Sequence, residues 1–182
     1  EMSASLVGSE MCIRDRYKIL DVIANIVRSV PFIILLVLLI PFTRLVVGKS
    51  YGSTATIVPL VIAAAPYIAR MVESSLKEVD AGVIEAARSM GASNFTIITK
   101  VMLVEARTSL LVGATITLGT ILGYSAMSGA VGGGGLGAIA IRYGYTRWQT
   151  DIMIVTVILL IILFQIFQTV GMKLADKFDH RK

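Results

Sequence analysis

The sequence predicts an all-helical integral membrane protein with four complete transmembrane helices. Two observations carry this. The 182 residues are 55% hydrophobic and 16% charged, with a mean hydropathy of +0.80, too apolar for one soluble core to hide. Four apolar segments, at about 30–47, 55–72, 108–127 and 152–170, have the length a helix needs to cross a bilayer at about 1.5 Å per residue.

Taken in order, residues 1–16 have no sustained periodicity and lack the charged, apolar, small-residue order of a signal peptide, so they read as a non-native or disordered extension. From Tyr17 to Val30 the apolar residues Ile19, Leu20, Ile23, Ile26, Val27 and Val30 keep helical spacing. Lys18, Asp21, Asn25 and Arg28 lie between them, the pattern of an interfacial lead-in helix. The first span follows, bent by Pro41. After the polar turn 48–54 comes the second span, containing Pro59 and Pro66, with Arg70 placed to snorkel or to pair with Glu73. The third is rich in small residues and holds the pair Gly119 and Gly123 four apart, which suits the inside of a bundle or a subunit interface. The fourth is dominated by Ile, Leu, Val and Phe, as expected of a lipid-facing helix, and meets Lys173, Lys177, Arg181 and Lys182 at its end.

The stretch 80–105 is the longest interval without a membrane-length apolar run between these segments, and it is not a plain connector. Asp80 can cap a helix whose apolar positions Val83, Ala87 and Met90 share one face, with Glu85 and Arg88 pointing elsewhere. Gly91 is placed to end it in the left-handed conformation, and Ser93 to cap a second helix from Asn94 to Lys100. Two bent polar helices between spans suggest a docking element.

Glu85-Ala86-Ala87, three residues, Gly91, and then Val101 and Leu103 resemble the EAA loop of the membrane subunits of binding-protein-dependent ABC importers. Two positions depart from the family pattern: Val101 replaces its usual isoleucine, and Val104 replaces the proline that usually follows leucine, so the family's proline bend is not expected there. The run Gly123-Tyr-Ser-Ala-Met-Ser-Gly-Ala-Val-Gly-Gly-Gly-Gly-Leu-Gly137 and the segment from Arg28 to Leu36 resemble the methionine-uptake branch.

The resemblance implies a type I importer permease bundle in the inner (plasma) membrane, translocating methionine in the L form, with the D form open. It further implies a homodimer of permease subunits, two ATP-binding subunits that hold the ATP, and an extracytoplasmic substrate-binding lipoprotein. The family's first helix is missing before Tyr17, an N-terminal truncation. Glu85, Ala86, Ala87 and Gly91 would couple the ATPase to the spans, with the loop and the C-terminus cytoplasmic. Charge gives an independent check: with the loop inside, 13 of the 17 Lys and Arg fall on the cytoplasmic side, as the positive-inside rule requires. A permease for another small solute, and an inactive fragment or scaffold, remain alternatives.

No catalytic set is visible, so the chain reads as a translocation subunit rather than an enzyme, with no cofactor of its own. Ser125 and Ser128 lack a histidine partner, and no acid lies inside a span core to relay protons. The single cysteine Cys12 and single histidine His180 make no metal pattern. Gly132, Gly134 and Gly137 spell GxGxxG, but no strand precedes them and no acid follows about 20 residues on, which argues against a dinucleotide loop. A glycine-rich turn at the outer mouth of the bundle fits better. The net charge of +5 marks cytoplasmic segments rather than nucleic acid, and lipid surrounds the spans. Tyr124, Ser125, Met127 and Ser128 are candidates to line a translocation path, with helix packing as the alternative for such small residues and Asn25 and Thr43 as weaker candidates.

Overall fold

The structure, a computed structural model, describes residues 17–178; the expected extension at 1–16, Cys12 and His180 lie outside the described residues. Every regular element among them is helical. Helix α1 covers Tyr17–Ser29 and α2 covers Phe32–Leu38, turned by 104° from it. The turn falls where Pro31 disfavours helical backbone at Val30, and the Pro31 carbonyl then accepts the first bonds of α2, from Ile34 and Leu35 at 2.9 and 3.0 Å. Helix α3, Ile40–Val47, carries Pro41 in its first turn, where a missing N–H costs nothing. The segment 30–47, expected as one bent crossing helix, is thus two short helices joined at Leu39.

Three helices have the length and composition to cross a membrane: α4, Ser53–Lys77; α8, Arg107–Ser128, which continues as a 3-10 turn over Gly129–Val131; and the last helix, Thr150–Phe178. A fourth crossing exists if α1 and α2 count as one broken span. Between α4 and α8 lie α5, Ala81–Ser89, and α6, Asn94–Thr96; α6 runs through a π-helical turn, Ile97–Met102, into α7, Leu103–Glu105. After α8 come α9, Gly135–Ile139, and a second π-helical turn, Ala140–Tyr145, before α10, the Thr150–Phe178 helix.

Helix α8 packs between α4 and α10, and its small residues are what permit it. A Cβ at Gly113 would stand 2.5 Å from the Met71 side chain, and one at Gly119 would stand 2.6 Å from the Phe164 ring. Gly123 has nothing within 4 Å, so the GxxxG pair does not act as a unit inside this chain. Thr115, Thr117 and Thr156 are buried, and each hydroxyl donates to the carbonyl four residues back, which satisfies a polar group where water is scarce. Helix α10 buries only 6% of its most apolar window, as a lipid-facing helix should.

Candidate functional site

The hairpin 80–105 is built by local chemistry. Asp80 is the N-cap of α5, its carboxylate accepting from the Gly82 N–H at 2.6 Å. At the other end Met90 is the C-cap, and Gly91 takes φ +78°. The Gly91 N–H donates to the Arg88 carbonyl at 2.9 Å and the Ala92 N–H to the Ala87 carbonyl at 3.1 Å, the paired bonds of a Schellman motif. Ser93 caps the next helix, accepting from the Thr96 N–H at 3.3 Å.

The Glu-Ala-Ala-x-x-x-Gly spacing thereby acquires a physical meaning. The Ala87 carbonyl accepts the cap's outer bond, and a left-handed residue is needed four positions later. Ala87 is also buried, at 5% exposure, as is Ile97 across the bend, where α5 packs on the π-helical turn. Glu85, Ala86 and Gly91 are exposed, and Met90 and Phe95 stand out at 82% and 76% exposure on either side of the glycine. Of the three apolar positions on the expected inner face, only Ala87 is covered; Val83 and Met90 are exposed. The hairpin thus exposes apolar residues at its bend, and Glu85 and Arg88 are exposed on α5.

Both arms of the hairpin connect stiffly to the bundle. Val79, between α4 and α5, is buried, and so is Ala106, the single residue between α7 and α8. The chain stays helical through Val104, and the irregularity that a proline would have supplied lies instead in the π-helical turn upstream and at Ala106, where ψ is −3°.

A second polar constellation ties α1 to α4. Arg70 pairs with Glu73 at 2.9 Å, as its position suggests, and also with Asp21 of α1, while Asn25 accepts from it at 3.3 Å. Tyr17 donates to Glu73, which Lys77 also reaches at 2.6 Å. In the sequence Asp21 reads only as a polar interruption of an interfacial helix, and Tyr17 only as its first residue. Their spacing, with Asn25 and Arg28, puts 17, 21, 25 and 28 on one helical stripe, a signal for a partner helix rather than a lipid surface.

The four path candidates do not form one wall. Tyr124 stacks on Phe32 of α2, with ring centroids 4.4 Å apart and planes at 11°. Ser128 is buried, its hydroxyl donating to the Ser125 carbonyl at 2.6 Å, while its own carbonyl accepts from the Gly133 N–H. Ser125 and Met127 are exposed, and at about 100° per residue they point to nearly opposite sides of α8. The glycine-rich segment is a tightly packed turn: a Cβ at Gly137 would stand 1.9 Å from the Ala126 carbonyl oxygen, and Gly132, Gly134 and Gly135 all have positive φ. Among the described residues no strand precedes it.

Three cavities lie along the seam of α4 and α8. One of about 240 Å³ is walled by Phe32, Tyr67 and Tyr124, a second of about 330 Å³ lies beside Tyr67 and Ser74, and a third of about 280 Å³ ends at Thr108. Among the described residues no group of three or more Asp, Glu, His or Cys could hold a metal ion.

Comparison with known proteins adds what geometry does not. The family model described as the binding-protein-dependent transport system inner membrane component matches residues 14–181. A probable D-methionine transport system permease protein of Vibrio cholerae is 54% identical over 162 residues, 89% of this chain and 72% of the relative. A methionine import system permease protein of Bacillus subtilis is 42% identical over 163 residues, 90% of this chain and 73% of the relative. Among solved structures, an inward-facing conformation of the MetNI methionine ABC transporter matches with a TM-score of 0.88 and 50% identity, over 91% of this chain and 77% of that one.

Proposed function

The chain belongs to the family of binding-protein-dependent transport system inner membrane components, and we propose that it is the multi-pass translocation subunit of an ATP-driven importer whose substrate is methionine. The observation that carries this is the hairpin 80–105, a capped, rigid element with an exposed apolar tip, in a chain 42–54% identical to relatives named as methionine permeases. ATP is bound and hydrolysed by a partner subunit. The permease pairs with a second copy of itself, and a substrate-binding lipoprotein delivers the amino acid on the outer side.

In this reading the hairpin and the C-terminus are cytoplasmic. Met90 and Phe95 enter a groove on the ATPase subunit, with Glu85 at its rim, while Ala87 and Gly91 hold the tip in shape. Closure of the ATPase dimer moves the hairpin as a body, and the buried joints at Val79 and Ala106 pass that movement to α4 and α8 together. The ATP-bound state then favours one of two bundle packings and nucleotide release the other, which is alternating access by population shift.

The test is association. A co-expressed ATPase subunit is expected to co-purify with this chain, and replacing 85–91 by a Gly/Ser linker of equal length is expected to abolish it. Undiminished co-purification of the replaced variant would refute the docking role.

A further inference from the structure

The cavities along α4 and α8 form a single file. The first and second share Arg28 and Tyr67, and the second and third share Ser75, Glu78, Ser109 and Val112. The file runs along α8 from Tyr124 to Thr108, about 24 Å at 1.5 Å per residue, against a hydrocarbon core of about 30 Å. It therefore follows most of the membrane's thickness, past hydroxyl groups for much of its length.

Within it Arg28 is out of the ordinary. On the stripe 17, 21, 25, 28 of α1, Tyr17, Asp21 and Asn25 all bond to Arg70 or Glu73 of α4. Arg28 is the next residue on that stripe. It lines two cavities beside Tyr67, one turn of α4 before Arg70, and no ion pair or hydrogen bond engages it among the described residues. Arg70, also in the wall, is neutralised by Asp21 and Glu73. Arg28 is exposed in this chain, and a guanidinium in a cavity wall with no carboxylate of its own leaves its N–H donors to a ligand's carboxylate. The first cavity supplies the complement: Val27, Phe32 and Leu35 are apolar, and the Phe32 and Tyr124 rings stack.

We infer that Arg28 is a substrate-binding residue of the translocation path, pairing with the carboxylate of a zwitterionic amino acid whose unbranched apolar side chain lies against Phe32 and Tyr124. The planar guanidinium takes a carboxylate through two parallel N–H bonds, and thioether sulfur packs favourably on aromatic rings. The inference rests on the methionine-transport reading and adds to it where, and by which group, the permease itself holds its substrate.

A thiol-protection experiment tests it without relying on turnover. In the assembled complex carrying Cys12→Ser, which removes the only native cysteine, Ala63→Cys places one thiol in the wall of the first cavity. N-ethylmaleimide labelling should be slowed by L-methionine. Adding Arg28→Gln should raise the half-protecting concentration about tenfold or more, the scale of a lost charge-assisted pair, with Arg28→Lys in between. Methioninamide, which lacks the carboxylate, should protect poorly. Equal protection with and without Arg28→Gln, equal protection by the amide, or no protection by methionine in the Arg28 parent would each overturn the inference. None of these would remove the transport reading, which stands or falls on ATP-dependent uptake by the unsubstituted chain.

Discussion

Replacing Gly91 isolates what the hairpin's shape contributes. A Cβ at this position meets nothing within 4 Å, so the effect of a side chain is purely that of the backbone angle, φ +78°. A left-handed conformation costs an L-residue roughly 1–2 kcal/mol, less for asparagine, and is most unfavourable for a β-branched residue. Gly91→Asn, Gly91→Ala and Gly91→Val should therefore form a graded series. Opening of the cap is read by amide exchange at Ala92, whose N–H bonds to the Ala87 carbonyl. At roughly 1–2 kcal/mol, exchange should quicken by a factor of about 5–30 in the valine variant, and by less in the asparagine variant. Transport should fall in the same order while membrane insertion stays intact. Asparagine and valine variants that behave alike, or a valine variant with unchanged exchange and normal transport, would refute a shaping role for the left-handed glycine at the hairpin's tip and the coupling proposed for it.

Two further outcomes follow from the packing. Arg70→Leu leaves Asp21 and Glu73 without their shared cation, and because these groups are partly exposed the loss should be modest, seen as faster proteolysis or amide exchange over 17–29; unchanged protection there would mean that the network does not anchor α1. Gly137→Ala would drive a Cβ into the Ala126 carbonyl oxygen, a backbone atom that cannot swing aside, and should cost about 3 kcal/mol, whereas Gly123→Ala, with open space around it, should change thermal unfolding in detergent by less than about 0.5 kcal/mol.

What the sequence makes legible here is mostly local. Asp80, Gly91 and Ser93 act through their own side chains or through the lack of one, within a turn of the chain, and the structure has each where that chemistry puts it. Helix α8 between two neighbours follows from its small residues, since only they allow close approach. The break of 31–47 into α2 and α3 was less visible, because hydropathy sums over the run and does not register that Pro41 fits the start of a helix better than its middle. The π-helical turns at 97–102 and 140–145 leave no pattern in a periodicity read at 3.6 residues. The pairing of Asp21 with Arg70, and the file of cavities past Arg28, join residues more than 40 positions apart. No local rule reaches that distance, although the 17, 21, 25, 28 stripe was a clue to it.

The reading as a whole is tested most directly by uptake. Proteoliposomes containing this 182-residue chain, the ATPase subunit and the substrate-binding protein would be given labelled methionine with and without ATP inside. The account predicts accumulation that requires ATP and is suppressed by excess unlabelled methionine. Accumulation that ignores ATP, or ATP-driven accumulation that excess methionine leaves untouched, would contradict it: the first removes the coupling, the second the substrate.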